Sequence, residues 1–234
     1  MTIKAAISLI ICALFSLSAV TVQAKKQELP EVTADGLHRV PDSKMAIVYA
    51  EPGADLGPYN RINLLQAYVA FKKNWERNQR SGSVQPLRIN SKEMERIKDS
   101  LSAEFHEVFK KALVDAGYEL TEENGDDVMI VRPAIINLDV NAPDVMTAGR
   151  STTFASSAGE MTLYIELYDS VSGDIIAKAL DRRMDRNSGF YTWTNSVTNR
   201  AAAQRILKGW ATILVAALDE AKAYDADADA GDDS

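Results

Sequence analysis

Residues 148–160 read AGRSTTFASSAGE, five hydroxyl side chains and two glycines beside one arginine. Such a run could supply a serine nucleophile from Ser151, Ser156 or Ser157, or hold an anion with Arg150 as the clamp. A phosphate loop requires GxxxxGK[ST] and a hydrolase elbow requires GxSxG, and neither spacing occurs here. The alternation of Phe154, Ser156, Ala158 and Glu160 instead leads an extended segment into the strand pattern that follows. A Ser–His–Asp set is assembled in space and not along the sequence, so a serine hydrolase stands as one alternative function.

Metal chemistry has less to draw on. His38 and His106 are the two histidines, 68 positions apart, and neither falls in an HxxxH or HExxH pairing. The terminal DADADAG places Asp225, Asp227 and Asp229 at the first, third and fifth positions of a calcium loop, but Ala230 stands where that loop needs glycine. A solvated acidic tail is the better reading. FKKNWERNQR, residues 71–80, interleaves cations with an aromatic. Nucleic acid is a poor match for an exported acidic chain, so Lys72, Lys73, Trp75 and Arg77 join Arg150, Ser156 and Ser157 as candidate contacts to a partner protein. No catalytic, cofactor-binding or metal-ligating residue is assigned, and no cofactor is expected.

The chain must also place these groups in a compartment. Lys4, the apolar run AAISLIICALFSLSAV and the small residues at Val22 and Ala24 form a secretory leader, with cleavage expected after Ala24. The run is shorter than the roughly 18 residues of a membrane span, so no transmembrane segment is expected in the mature chain. Cys12, the single cysteine, follows Leu-Ile-Ile rather than a small residue, which disfavours a lipid anchor. The mature chain then lacks disulfides, thiolate metal sites and cysteine nucleophiles together.

Removing Lys4 with the leader takes the formal charge from −7 to −8, and five aspartates in DADADAGDDS leave residues 25–224 at −3. A nearly neutral body argues against nucleic acid or an anionic membrane as partner. With 46% apolar residues the chain can fill a core, and its length favours one domain. The expected divisions are a leader at 1–24, an extended arm at 25–58 that holds four of the seven prolines, an α+β domain at 59–224 and a disordered tail at 225–234.

Within that domain RINLLQAYVAF, residues 61–71, reads as a buried strand, and MAIVYA before it as an edge strand. Met94, Ile97, Leu101, Phe105, Val108 and Ala112 recur at helical spacing over 91–116, with Asn90 and Glu93 as a capping pair and Gly117 as the stop. VMIVRPAIINLDV is a strand whose Pro133 implies a bulge or an edge position. Met161, Leu163, Ile165 and Leu167 alternate with polar partners, DSVSGD turns, and IIAKALDRRM returns. Ile206, Trp210, Ile213, Ala217 and Ala221 then space a second long helix over 197–223. The fold expected is an α+β two-layer sandwich: an antiparallel or mixed sheet of about four to six strands with both helices on one face.

Several blocks in order, among them GLHRVPDSKMAIVYAEPGADL, YNRINLLQAYVAFKKNW, RPAIINLDVNAPD, AGRSTTFASSAGEMTLYIELYDSVSGDIIAKALDR and TNSVTNRAAAQRILKGWA, make the chain resemble the bacterial family known as domain of unknown function 3313. The resemblance covers about residues 36–222. It implies a Gram-negative envelope setting and transfers no catalytic residue; members are often lipoproteins, and the absence of a lipobox here makes a free periplasmic form the expectation. The function expected is a non-enzymatic envelope accessory or scaffold protein, its partner an envelope protein. A small-ligand carrier and the serine hydrolase are the alternatives, and the oligomeric state is left open.

Overall fold

In the computed structural model, residues 29–81, 90–140, 153–155, 157–186, 192–194 and 196–229 are described. The chain opens with two short strands, β1 (His38–Arg39) and β2 (Ile47–Ala50), followed by β3 (Arg61–Leu64) and β4 (Tyr68–Phe71). A short helix α1 (Trp75–Ser81) and the long α2 (Ser91–Asp115) lead to β5 (Glu119–Leu120) and β6 (Val128–Val140). Then come β7 (Thr153–Ala155), β8 (Ser157–Asp169), β9 (Ile175–Arg186), β10 (Thr192–Thr194) and α3 (Ser196–Asp229).

Eight strands form one mixed sheet in the order β1-β2-β9-β8-β6-β3-β5, with β4 also on β6. The α+β class and a mixed sheet are as expected. The strand number exceeds the expected four to six because β1 and β5 have two residues each, too few to carry a period, and because 61–71 is two strands. Both β3 and β4 run parallel to β6, but Leu64 pairs with Val131 while Tyr68 pairs with Ala134, so the register slips between them. The slip coincides with Pro133. The Val131 carbonyl accepts the Leu65 N–H at 3.0 Å, so by alternation the nitrogen of Pro133 faces the same side and has no hydrogen to give. Pro133 therefore interrupts a neighbour while lying in an interior strand, and the edge reading is corrected. A second irregularity sits at Asn137, whose φ of 53° marks the β6 bulge beside Asp139.

The β8–β9 hairpin forms as its alternation predicts. Met161, Leu163, Ile165 and Leu167 are buried together with residues of α2 and α3. In the turn, the Asp169 carboxylate accepts the Val171 and Ser172 N–H groups, and Gly173 takes a φ of 76° that favours glycine. Before the hairpin, β7 pairs not with β8's neighbours but with β10, as a separate two-stranded ribbon. The lead-in expected over 154–160 is thus continuous with β8 only from Ser157.

At the start of α2 the Asn90 side chain accepts the Glu93 N–H and the Glu93 carboxylate accepts the Asn90 N–H. Its end is a Schellman closure on Gly117 (φ 92°): Tyr118 N–H reaches the Leu113 carbonyl and Gly117 N–H the Val114 carbonyl. The buried stripe of α2 is Leu101, Phe105, Phe109 and Leu113, with the two phenylalanine rings stacked at 3.9 Å. On α3 it is Ala202, Ile206, Leu207, Trp210, Ala211, Leu214 and Leu218. Of the positions the spacing predicted, Leu101, Phe105, Ile206 and Trp210 are buried, and Ile97, Val108, Ala112, Ile213 and Ala221 pack against the core at its margin. The stripe ends on Phe109, Leu113, Leu214 and Leu218, one position from Val108, Ala112, Ile213 and Ala217, and Ala217 is exposed. Helix α3 also continues to Asp229, five residues into the segment expected to be a disordered tail.

Candidate functional site: an arginine-lined recess at a strand edge

The sequence-derived candidates do not converge. Lys72 lies beside the bulge and donates to Asp139 at 2.8 Å and Glu160 at 3.3 Å, which raises its pKa. Trp75 is a correction: its indole is 2% exposed and stacked on Phe71 at 4.2 Å, so it is a core residue and not a surface contact. Lys73 and Arg77 are exposed near and on α1. Ser157 begins β8 opposite Arg186, while Arg150, Ser151 and Ser156 fall outside the described residues. His38 is exposed on β1, and His106 on α2 holds a buried Nδ1 without a hydrogen-bond partner among the described residues. Among those residues no group of three metal-capable side chains occurs. A gap bounded by Tyr59, Ile62, Tyr118, Met129 and Leu218 leaves no room for a water-sized sphere.

Charged chemistry gathers instead where β9 runs past β2. The β2–β9 ladder spans Ile47–Ala50 against Ala177–Leu180 and stops there: the Met45 N–H, the next on the β9 side by alternation, goes to Ser43 Oγ at 3.2 Å, while the Ala46 N–H goes to the Asp181 carboxylate at 3.2 Å. Among the described residues no strand takes over this side of β9 from Asp181 to Arg186. Val48 turns its carbonyl to Val40 on the β1 side, so Ile47 and Tyr49 face β9 with their backbone groups and meet Leu180 and Lys178. Continuing that alternation along β9, the N–H and C=O of Arg182 and Met184 point outward from the sheet.

The side chains at this edge are fixed from both faces. Asp181 is 8% exposed and accepts three donors, the Ala46 N–H, Arg183 Nε at 2.9 Å and Trp210 Nε1 at 2.8 Å. Arg183 in turn lies 5.8 Å from the centre of the Trp210 ring. Its guanidinium occupies the space where a side chain on Gly209 would be: a Cβ there would stand 2.5 Å from Arg183 Nη1. Arg182 points to the opposite face and pairs with Glu160. Burial pushes the Glu160 carboxyl up, but the hydrogen bonds and charges of Arg182 and Lys72 outweigh it and hold it below the usual carboxylate range.

Arg182, Arg183 and Met184 on β9, with Arg205 and Ile206 on α3, line a recess of about 450 Å³. Guanidinium groups stay protonated at any physiological pH and match the planar geometry of carboxylates and phosphates. Among the described lining residues the three guanidinium groups give the recess the chemistry to hold an anion. Sequence reading missed it because its arginines are split between a strand and a helix 22 positions away; the DRRM run was the available signal.

Away from the helices the sheet carries a cross-strand row of Tyr49, Lys178, Glu166 and Arg132. Arg132 approaches Glu166 at 3.5 Å, the Tyr164 hydroxyl donates to Glu166, and Lys178 pairs with Asp35 of the N-terminal segment. Burial and the Glu166 contact push the Tyr164 phenol well above its ordinary value.

Fold and site together define an α+β domain with a cationic recess at a strand edge that no strand among the described residues covers. Residues 32–214 match the family described as Protein of unknown function (DUF3313), and the chain belongs to that family. No curated protein matches the sequence. Among solved structures, the chain is similar to a DUF330 protein from Xanthomonas campestris at 15% identity and a TM-score of 0.40, over 76% of this chain and 93% of that one. It is similar to the PelC dodecamer from Paraburkholderia phytofirmans at 11% identity and a TM-score of 0.32, over 69% and 96% of the two chains. A DUF4136 family protein from Bacteroides thetaiotaomicron matches at 10% identity and a TM-score of 0.32, over 72% and 94%.

Proposed function

We propose that this protein is an exported envelope accessory or scaffold protein that works by contact with another envelope protein and catalyses no reaction. The observation that supports it most directly is the recess, where three arginines flank a strand edge left open among the described residues. Such an edge offers backbone hydrogen bonds, and arginine is enriched at protein interfaces. In this reading the domain is a two-layer sandwich whose helix-bearing face is structural. Leader cleavage after Ala24 would deliver the mature chain to the periplasm, and among the described residues no helix is long and apolar enough to cross a membrane.

Crosslinking in periplasm-intact cells, followed by mass spectrometry, tests the reading. The expected result is a mature N-terminus at Lys25 and one envelope protein captured through residues near Arg182 or Arg205. A chain that retains its leader, or that crosslinks to nothing at physiological abundance, overturns it.

A further inference from the structure

We infer that the edge of β9 left uncovered by the described strands is a docking site for an extended acidic segment of a partner, one carrying two adjacent carboxylates. The inference rests on the protein-contact reading and specifies the partner's chemistry. Its first support is the backbone. The β2 ladder ends at the Ile47–Leu180 pair, where the Met45 N–H turns to Ser43 Oγ and the Ala46 N–H to the Asp181 carboxylate, leaving the outward N–H and C=O groups of Arg182 and Met184 without a strand among the described residues. A segment laid along this edge would continue the sheet by main-chain hydrogen bonds, the mode in which a peptide adds a strand to an existing sheet.

Charge then selects which segment. Successive side chains of a strand point to opposite faces. Arg182 pairs across to Thr162 and Arg183 to Met161, so one guanidinium stands on each side of the edge strand. An incoming strand beside them likewise sends neighbouring residues to opposite faces. Two consecutive acids therefore meet two arginines, whereas acids separated by one residue would crowd a single face and leave the other arginine without a match. Arg205 adds a third cation on the α3 side.

The existing carboxylates do not cancel this preference. Glu160 is shared between Arg182 and Lys72, and Asp181 divides its two oxygens among Arg183, Trp210 and Ala46. Arg182 keeps 62% of its side-chain surface exposed and Arg183 keeps 30%, so each can donate to a further carboxylate oxygen. Met184 and Ile206 supply an apolar wall for the residues that flank the acids.

The test uses the mature chain and synthetic peptides of eight residues, in which valine and threonine surround either Asp-Asp, two aspartates separated by one residue, or Lys-Lys. Binding is read by fluorescence anisotropy at low salt, and edge pairing by hydrogen exchange at the Arg182 and Met184 amides. The Asp-Asp peptide is expected to bind at least about tenfold more tightly than the separated form, and Arg182→Glu or Arg205→Glu to weaken it by about tenfold or more while far-ultraviolet circular dichroism stays unchanged. Protection of the two amides by the Asp-Asp peptide supports strand addition. Equal binding of the two acidic peptides, or unchanged affinity in both variants, overturns the inference. Partner capture in cells that survives Arg182→Glu and Arg205→Glu together also overturns it while leaving the protein-contact function standing; loss of all capture in the wild type removes that function itself.

Discussion

The indole N–H of Trp210 donates to the Asp181 carboxylate at 2.8 Å, tying the middle of α3 to the point where β9 loses its partner strand. One buried carboxylate thus holds a helix, a strand and the N-terminal segment at once, through Trp210, Arg183 and Ala46. Trp210→Phe keeps most of the ring volume and removes one charged hydrogen bond, with an expected loss of about 1.5–3 kcal/mol. Asp181→Leu strands two N–H donors and releases Arg183, at about 2–5 kcal/mol. Because the two residues share one network, the double variant should lose less than the sum, which urea denaturation of the four proteins measures.

The hairpin core gives a sharper contrast. Leu163 is 0% exposed among the helix-facing residues, and its truncation to alanine should cost about 2–5 kcal/mol. Tyr68 has a bulky ring that is 67% exposed, and Tyr68→Ala should stay within about 0.5 kcal/mol. Equal effects in thermal and urea denaturation would mean that the sheet faces the other way.

What the sequence made legible follows the length of the pattern. The 25-residue α2 and the β8–β9 hairpin repeat their periods several times, and the Asn90–Glu93 box marks a boundary in four residues. The stripes hold at Leu101, Phe105, Ile206 and Trp210 and shift by one position in their later turns, because neighbouring helical rows both contain apolar residues. Packing depth then selects the bulkier Phe109, Leu113, Leu214 and Leu218 over Ala112, Ala217 and Ala221. Two-residue strands carry no period, and the β3–β4 break depends on a proline in another strand. Trp75 looked like a surface aromatic because its neighbours are charged; burial against Phe71 is a tertiary fact. The recess was hidden for the same reason, since nothing along the chain joins Arg183 to Gly209.

Acid should act on the outer face of the sheet. Glu160 titrates below an ordinary carboxylate because Arg182 and Lys72 together outweigh its burial. A depressed folded-state pKa contributes stability that is complete above the unfolded value, about 4.3 for glutamate, and is lost as pH falls through the folded one. Glu160→Gln should therefore be less stable than wild type at pH 7, and the gap should close as the pH drops below about 4. Asp127 and Asp169 are also depressed, by the Arg61 side chain and by the Ser172 backbone respectively, so the variant retains part of the acid transition. Denaturant midpoints at four or five pH values decide it; a constant gap would show that the Glu160 charge does not matter.

Gly209 provides the last test, because two effects of opposite sign meet at one atom. In a helix interior, glycine to alanine is worth about 1 kcal/mol of stability through propensity alone. Here the new Cβ would lie 2.5 Å from Arg183 Nη1, the far end of a flexible side chain that must move off the Trp210 ring and strain its contact with Asp181. Gly209→Ala by itself should then gain little or lose slightly. In an Arg183→Ala background the obstruction is gone, and the same change should recover close to the full 1 kcal/mol or so. The measured coupling between the two positions should be about 1 kcal/mol, the low end of the range for residues in contact. If Gly209→Ala stabilises both backgrounds equally, the guanidinium does not occupy that space, and Arg183 no longer lines the recess as described.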